Sequence, residues 1–437
     1  MALGGGIFLT QNKILPGAYI NFVAAARASA TLSERGIATM PIVGDWGALG
    51  EVIEVIPGDL QKNSMALFGY DYTAPQLRPL RELYKNIRIG YLYRLGTGGT
   101  QSYNDYGKAR YRGIRGDAIT IVVTENVDNV GLKDVTVLMN GIVVATQTVS
   151  DAENLIDDDY VIYEKSGSLD LTAGQPMTGG SNPTVSNANY QTYLDKVESY
   201  TFNTIVCPSD DSTVKQLFSE YTKRLRDEQG VKFQCVTFNP NFNSDYEGVV
   251  DVMNKVTDAE ADVFSLVPWV TGVIAGTAVN KSALNKIYDG EYTVDVDYTQ
   301  TQLEKAIKGG KFGFHRVEDR VRVLSDINSL VTQTLEKNEL FFENQTIRVI
   351  DQIANDIAVI FNTRYLGVVP NDAAGRISLW SDIVKHHEQL QEIRAIENFK
   401  DTDITVEQGN SKRAVLVNDY ITVVNAMAQL YMVVTVA

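Results

Sequence analysis

Few residues of this 437-residue chain are of types that could do chemistry: three histidines, two cysteines and an Asp157-Asp-Asp159 run. His386 and His387 are adjacent, so on a helix their side chains point about 100° apart and cannot chelate one ion as an i, i+4 pair would. They read as solvated or half-buried histidines. Asp157-Asp-Asp159 offers hard oxygen donors but lacks the spaced acids and central glycine of a calcium loop, and reads as a solvated turn. Cys207 stands beside Pro208, Cys235 lies in an apolar stretch, and neither has a histidine motif near it. Two buried, reduced thiols are expected, too few for a disulfide framework. Gly96-Thr-Gly-Gly-Thr100 has the look of a phosphate loop, yet no Gly-Lys-Ser/Thr follows and no helix clearly starts there, so it reads as a turn. Catalysis would have to rest on carboxylates or lysines, and no pair of these stands out by spacing. No catalytic, cofactor-binding or metal-binding residue is assigned, no cofactor is expected, and an enzyme is not the economical reading.

The elements that would position any site follow strand-helix-strand order. Residues 36 to 43 read as an apolar strand, 74 to 85 as a helix carrying Leu77, Leu80, Leu83 and Tyr84, and 87 to 95 as a strand. After a break at 96 to 100 come short β-runs at 118–125, 135–140, 141–149 and 160–163, with Asn140-Gly141 a hairpin signal because both residues tolerate positive φ. Residues 96–188 are therefore expected to form an inserted β-domain that leaves through the linker-like 174–183. The alternation resumes with a strand at 200–207, a helix at 212–229 capped by Asp210 or Asp211 and closed by Gly230, and a strand at 231–238. A strand is expected at 263–267, a capping box at Thr299 to Gln302, and a strand pair at 312–315 and 321–325. Helices follow at 346–361, with a wide buried face on Ile347, Ile350, Ala354, Ile357 and Phe361, and at about 378–399. The fold class is α/β (α+β), multidomain. Its expected parts are an N-terminal arm 1–25, a core of 26–95 with 189–330, the insert, a helical domain 331–411 and a C-terminal strand arm 412–437.

Composition allows several domains with proper cores and excludes some partners. Apolar content of 44% and charge of 21% are those of an ordinary globular protein. No run of about 18 apolar residues could span a bilayer, the start lacks the features of a signal peptide, and cytoplasmic synthesis without membrane insertion is expected. Net charge is 39 − 54 = −15, which argues against nucleic acid held by phosphate neutralisation. Residues 76–115 carry nine Lys or Arg against two acids, and 126–180 two against nine, so the insert reads as a separate acidic, solvated unit.

The two ends are the unusual feature. Residues 18–23, with Tyr19, Ile20, Phe22 and Val23, suit an isolated strand. In 430–436, Leu430, Met432, Val434 and Val436 fall on one face while Tyr431, Val433 and Thr435 fall on the other, so neither face is made for water. An apolar strand without a neighbour is a template for association, and the expected neighbour is another subunit.

With the residues in that order, the chain resembles the contractile-tail sheath proteins of myovirus-type phages and phage-tail-like bacteriocins, in their prophage-associated branch. Leu15-Pro-Gly-Ala-Tyr-Ile-Asn-Phe22 is similar to the family's N-terminal Pro-Gly-x-Tyr strand, and Ala25-Ala-Arg-Ala-Ser-Ala-Thr-Leu-Ser-Glu-Arg-Gly36 continues it. Lys108-Ala-Arg-Tyr-Arg-Gly-Ile-Arg-Gly-Asp117 resembles the entry into the inserted domain. Trp269-Val-Thr-Gly-Val-Ile-Ala-Gly276 resembles a family helix, and Val424-Asn-Ala-Met-Ala-Gln-Leu-Tyr-Met432 the junction of the last two strands. Each motif alone is weak; their order along nearly the whole chain is specific.

The resemblance implies a subunit that polymerises into a helical sleeve around a tail tube and drives the tube through an envelope on contraction, with terminal arms of neighbours completing a shared small sheet. Its implied partners are further copies of itself, the tube protein, and baseplate and tail terminator proteins. The implied location is a virion tail or tail-like particle assembled in the host cytoplasm. Lys385, Glu388, Glu392 and Arg394, a polar ridge on the last helix, are then the expected tube-facing residues. The alternatives are another self-assembling structural protein, such as a tube or surface-layer subunit, and an oligomeric α/β enzyme. Phage and bacteriocin stay undistinguished.

Overall fold

Strands in the middle of a sheet covered on both faces are mostly apolar in both directions, and three segments of this chain come close: Thr204–Val206, Gln234–Phe238 and Val249–Val252 are buried at every position, with Thr204, Gln234, Thr237 and Asp251 their polar residues. The computed structural model, which describes residues 32–241 and 243–436, sets them side by side in an eight-stranded sheet. The order across it is Arg320–Ser325, Lys311–Val317, Val249–Val252, Gln234–Phe238, Thr204–Val206, Ile37–Ile42, Ile89–Arg94, Val52–Val55. The inner six run parallel and each edge strand runs antiparallel to its neighbour. Period-two alternation feeds two cores: Leu92, Val206 and Val236 enter one with Leu83, Trp269 and Val273, and Tyr93, Ile205 and Cys235 enter the other with Tyr193, Phe218 and Leu225.

The helices flanking the sheet carry the signals their sequence promised. Asp211 caps Ser212–Lys223 by accepting from Thr213 N and Val214 N, and Gly230 takes φ 76 just beyond the π-helical end of that helix. Thr299 and Gln302 form the capping box of Gln300–Lys308. On the other face, Val267–Gly276 lies so close to the end of helix Arg78–Tyr84 that a Cβ on Gly276 would sit 1.8 Å from the Asn86 carbonyl oxygen. Only glycine fits there. The strand expected at 263–267 is instead a turn running into this helix, because Pro268 suits a helix's first turn, where a missing N–H costs nothing. The corresponding place in the sheet belongs to Val249–Val252.

Between Ile89–Arg94 and helix Asn187–Val197 the chain leaves the sheet and returns. The exit and return strands bind each other, with reciprocal backbone bonds between Thr97 and Thr184 and between Thr100 and Ser181. The excursion builds a four-stranded antiparallel sheet in the order Thr172–Pro176, Ile119–Glu125, Lys133–Met139, Ile142–Val149, and a three-stranded one of Tyr103–Asn104, Gly107–Ala109 and Val161–Tyr163. Asn140 and Gly141 turn the hairpin at φ 52 and 78. The expected end of the insert at 188 falls inside helix Asn187–Val197, whose Ser186 cap belongs to the α/β sheet's side. The expected solvated turn at 157–159 is an ordered one: Asp158 accepts from Tyr160 N, Val161 N and the Tyr163 hydroxyl.

The described residues form two compact units, 34–354 with 423–436, and 32–33 with 355–422. The boundary falls inside helix Asn344–Ile360. The smaller unit holds helix Ala373–Glu392 and the hairpin of Ile404–Gln408 with Val415–Asp419. The expected helix 378–399 starts earlier and stops at Glu392, since Arg394 takes a left-handed φ of 60 that no α-helix continues through.

Candidate assembly surface

From Met427 to Val436 no residue is buried and none belongs to a helix or strand. Leu430, Tyr431, Met432, Val433, Val434 and Val436 are each at least 69% exposed. The alternation suits a strand, but a strand is a ladder, and among the described residues no backbone offers this segment one. The arm expected at 412–437 is also shorter. Val415–Asp419 pairs with Ile404–Gln408 over five residues, a strand that sequence reading missed, so the free stretch begins after Ala426. Tyr19, Ile20, Phe22 and Val23 lie outside the described residues.

The tail is held just before it becomes free. Ala426 N donates to Gln345 Oε1 at 2.9 Å, Gln345 Nε2 donates to the Val424 carbonyl at 3.0 Å, and the Thr346 hydroxyl lies 3.2 to 3.3 Å from both amide atoms of Asn425. Gln345 and Thr346 open helix Asn344–Ile360 and are buried there. Beside them burial pushes the Glu343 carboxyl above its usual range, and the Asp326 charge adds to the shift. The buried part of this helix mixes polar and apolar side chains at its start, with Asn344, Gln345, Thr346, Arg348 and Asp351 beside Ile347 and Val349; of the expected apolar face Ile347 is fully buried, whereas Ile350, Ala354, Ile357 and Phe361 are only half-buried. Nothing in the hydrophobic periodicity signals the burial of those polar residues.

In the smaller unit the hairpin is fastened to helix Ala373–Glu392. Trp380 Nε1 donates to the Ile404 carbonyl at 3.1 Å, Asn371 Nδ2 donates to the Ala414 carbonyl at 2.8 Å, and His387 Nε2 lies 3.0 Å from Asp419 Oδ2. His386 Nε2 meets Asp356 Oδ2 at 2.9 Å. Both histidines are fully buried, not solvated or half-buried as expected, because neighbouring chain covers this helix on both of the directions they point. A two-stranded hairpin leaves an open edge on each side. Lys385, Glu388 and Glu392 are exposed on the helix, and Arg394 is exposed just past its end.

Elsewhere the geometry offers little chemistry. A cavity of about 650 Å³ lies where the strand order reverses, beyond the carboxyl end of Ile37–Ile42, and is lined by Pro41, Trp46, Phe68, Pro79, Pro183 and Pro268. Its one tight polar pair is Tyr70 donating to Asp45 at 2.5 Å. Burial and that carboxylate push the Tyr70 hydroxyl up to about 12, too high to act as a base near neutrality. Among the described residues no three His, Cys, Asp or Glu side chains cluster as metal ligands. Cys207 and Cys235 are buried and free.

Family models tile the chain from 35 to 437: the tail sheath protein Gp18 domain III N-terminal region at 35–95, the phage tail sheath β-sandwich domain at 95–182, the central domain at 184–329 and the C-terminal domain at 336–437. The phage-like element PBSX protein XkdK of Bacillus subtilis is 31% identical over 98% of this chain and 99% of its own length. The sheath tail protein of Desulfitobacterium hafniense superposes with a TM-score of 0.80 at 36% identity, covering 95% of this chain and 99% of that one. The sheath tail protein Lin1278 of Listeria innocua gives 0.79 at 32%, covering 90% and 92%. An α/β fold with an exposed apolar end, matched along its length by sheath domains, is that of a structural subunit of a contractile tail sheath and not an enzyme: the chain belongs to the phage tail sheath protein family.

Proposed function

We propose that residues 427–436 are an arm that another copy of the chain covers, and that this linkage holds the sheath together as it shortens. The observation that carries the reading is the set of seven large apolar side chains, all exposed, on a segment with no ladder partner among the described residues. Burying one such side chain is worth roughly 1.5 to 3 kcal/mol, so several per arm outweigh the entropy of ordering it. The receiving element is the hairpin of Ile404–Gln408 and Val415–Asp419 in a neighbour, whose open edges accept an added strand. The N-terminal strand, with Tyr19, Ile20, Phe22 and Val23, makes the second link. Lys385, Glu388, Glu392 and Arg394 face the tail tube, baseplate and terminator proteins bound the sleeve at its ends, assembly takes place in the host cytoplasm, and the acidic insert faces outward.

Deleting residues 427–437 and comparing sedimentation with the full chain tests this reading. The truncated protein is expected to stay folded and to remain at the monomer's sedimentation rate under conditions where the full chain forms tubes. Tubes of normal length from the truncated protein would refute it.

A further inference from the structure

We propose that Gln345 is the fastening that holds the C-terminal arm to the α/β unit when the sheath is under load. The proposal rests on the reading of 427–436 as an intersubunit arm and adds the residue that anchors it.

The Val424 carbonyl and the Ala426 N–H flank Asn425 and, being two residues apart on an extended chain, point to the same side. The Gln345 amide donates to the first and accepts from the second, at 3.0 and 2.9 Å. It thus fills the place of a peptide group on a neighbouring strand, a match that suits a side-chain amide, which carries a donor and an acceptor on separate atoms of one planar group. Paired bonds of this kind fix direction as well as adding energy. A pull along the tail has to break both at once.

Behind the amide lies a buried polar chain that reaches the middle of the sheet. Gln234, on strand Gln234–Phe238, donates through Nε2 to Asn344 Oδ1 at 2.9 Å, and Asn344 Nδ2 donates to Asp326 Oδ1 at 3.0 Å. Asn344 is the residue before Gln345, so the side chain that holds the tail grows from backbone that is itself tied to a central strand. The clamp ends at Ala426, one residue before the wholly exposed apolar stretch begins. A buried amide left without partners is costly, so this one is committed to the tail rather than to solvent.

Two substitutions weaken the clamp from opposite sides, the first cutting both bonds and the second the one from Ala426. Gln345→Leu removes the amide, and Ala426→Pro removes the N–H donor from an exposed position that cannot unfold the core. In the Gln345→Leu monomer, hydrogen exchange at the 426 amide should quicken at least tenfold while central-strand amides keep their rates. Tubes of either variant should fall apart at lower urea than wild-type tubes, below the monomer's own unfolding midpoint. Unchanged exchange at 426 would show that the clamp does not hold. Faster exchange with tubes as urea-resistant as wild type would show that it carries no load, and if Gln345→Leu fails to fold, Ala426→Pro tubes of wild-type resistance would overturn the proposal equally. Val434→Asp separates this from the arm reading: normal tubes from that variant would refute the arm itself, whatever the clamp does.

Discussion

Arg226 and Asp351 meet in a buried two-point ion pair, with the guanidinium nitrogens donating to the two carboxylate oxygens at 2.7 and 2.8 Å. The pair joins the π-helical end of the Ser212–Lys223 helix to helix Asn344–Ile360, and Arg226 also donates to the Phe233 carbonyl. Removing one partner strands the other charge away from water, which typically costs about 3 to 5 kcal/mol. Asp351→Ala should therefore lower the urea midpoint sharply, whereas the double variant Arg226→Leu with Asp351→Leu should recover most of the loss. A single variant within about 0.5 kcal/mol of wild type, the range of ordinary surface changes, would contradict this.

Glu82 gives the stability a pH dependence. It is fully buried, forms no ion pair among the described residues, and accepts from the Tyr288 hydroxyl and from Glu291 N. Burial pushes it from 4.5 up to about 7. Between those values the folded chain holds a proton that the unfolded chain has released, so this group's stabilising contribution is full below pH 4.5 and lost as pH rises through 7. Glu82→Gln can still accept from Glu291 N and can donate to the Tyr288 oxygen. At pH 8 it should be more stable than wild type by up to about 3 kcal/mol, with the difference shrinking toward pH 4.5. Thermal unfolding across that range checks the sign, and a variant less stable at pH 8 than at pH 5 relative to wild type would reverse it.

How much of this was legible in the residues depends on the reach of the signal. Asp211, Gly230, Thr299 to Gln302 and Asn140-Gly141 act within a few positions of themselves, and each stands where local reading put it. Val249–Val252 and Ile404–Gln408 escaped because they are short, and the second is exposed on alternate residues. The burial of His386 and His387 was not legible at all. Adjacent helical residues do diverge, but only the fold brings Asp356 and Asp419 to the two sides they face. Gln345 and Val424 stand 79 positions apart, and a polar side chain at a helix start ordinarily signals nothing beyond the unpaired N–H groups of a first turn.

The α/β sheet should survive loss of the excursion, provided the cut follows the paired strands. Replacing residues 98–183 by a short Gly/Ser link keeps Thr97, Thr184 and the Ser186 cap. Trp46, however, packs in the excursion's core, and Arg94 loses the Arg112 carbonyl while keeping those of Gly44 and Gly47. The shortened chain is expected to unfold cooperatively at a lower temperature, and Trp46→Ser in that background to improve its solubility. Loss of cooperative unfolding would mean that the sheet depends on the excursion.

Val434→Asp places a carboxylate where the arm would be covered. Val434 is exposed in the single chain, so the monomer's thermal midpoint should hardly move. In a covered joint, by contrast, the unpaired charge costs several kcal/mol, enough to abolish tubes seen by negative-stain microscopy. A monomer that unfolds outright would show that Val434 belongs to the subunit's own core.

What covers residues 427–436 in the assembled sleeve is read directly by an electron cryomicroscopy reconstruction of tubes. The expected map shows this segment as a strand laddered onto the Ile404–Gln408 and Val415–Asp419 hairpin of a different copy, with Val424 and Ala426 still held by Gln345 of their own. A map in which the segment packs on its own subunit, or stays unpaired in solvent in the assembled sleeve, would contradict the arm reading.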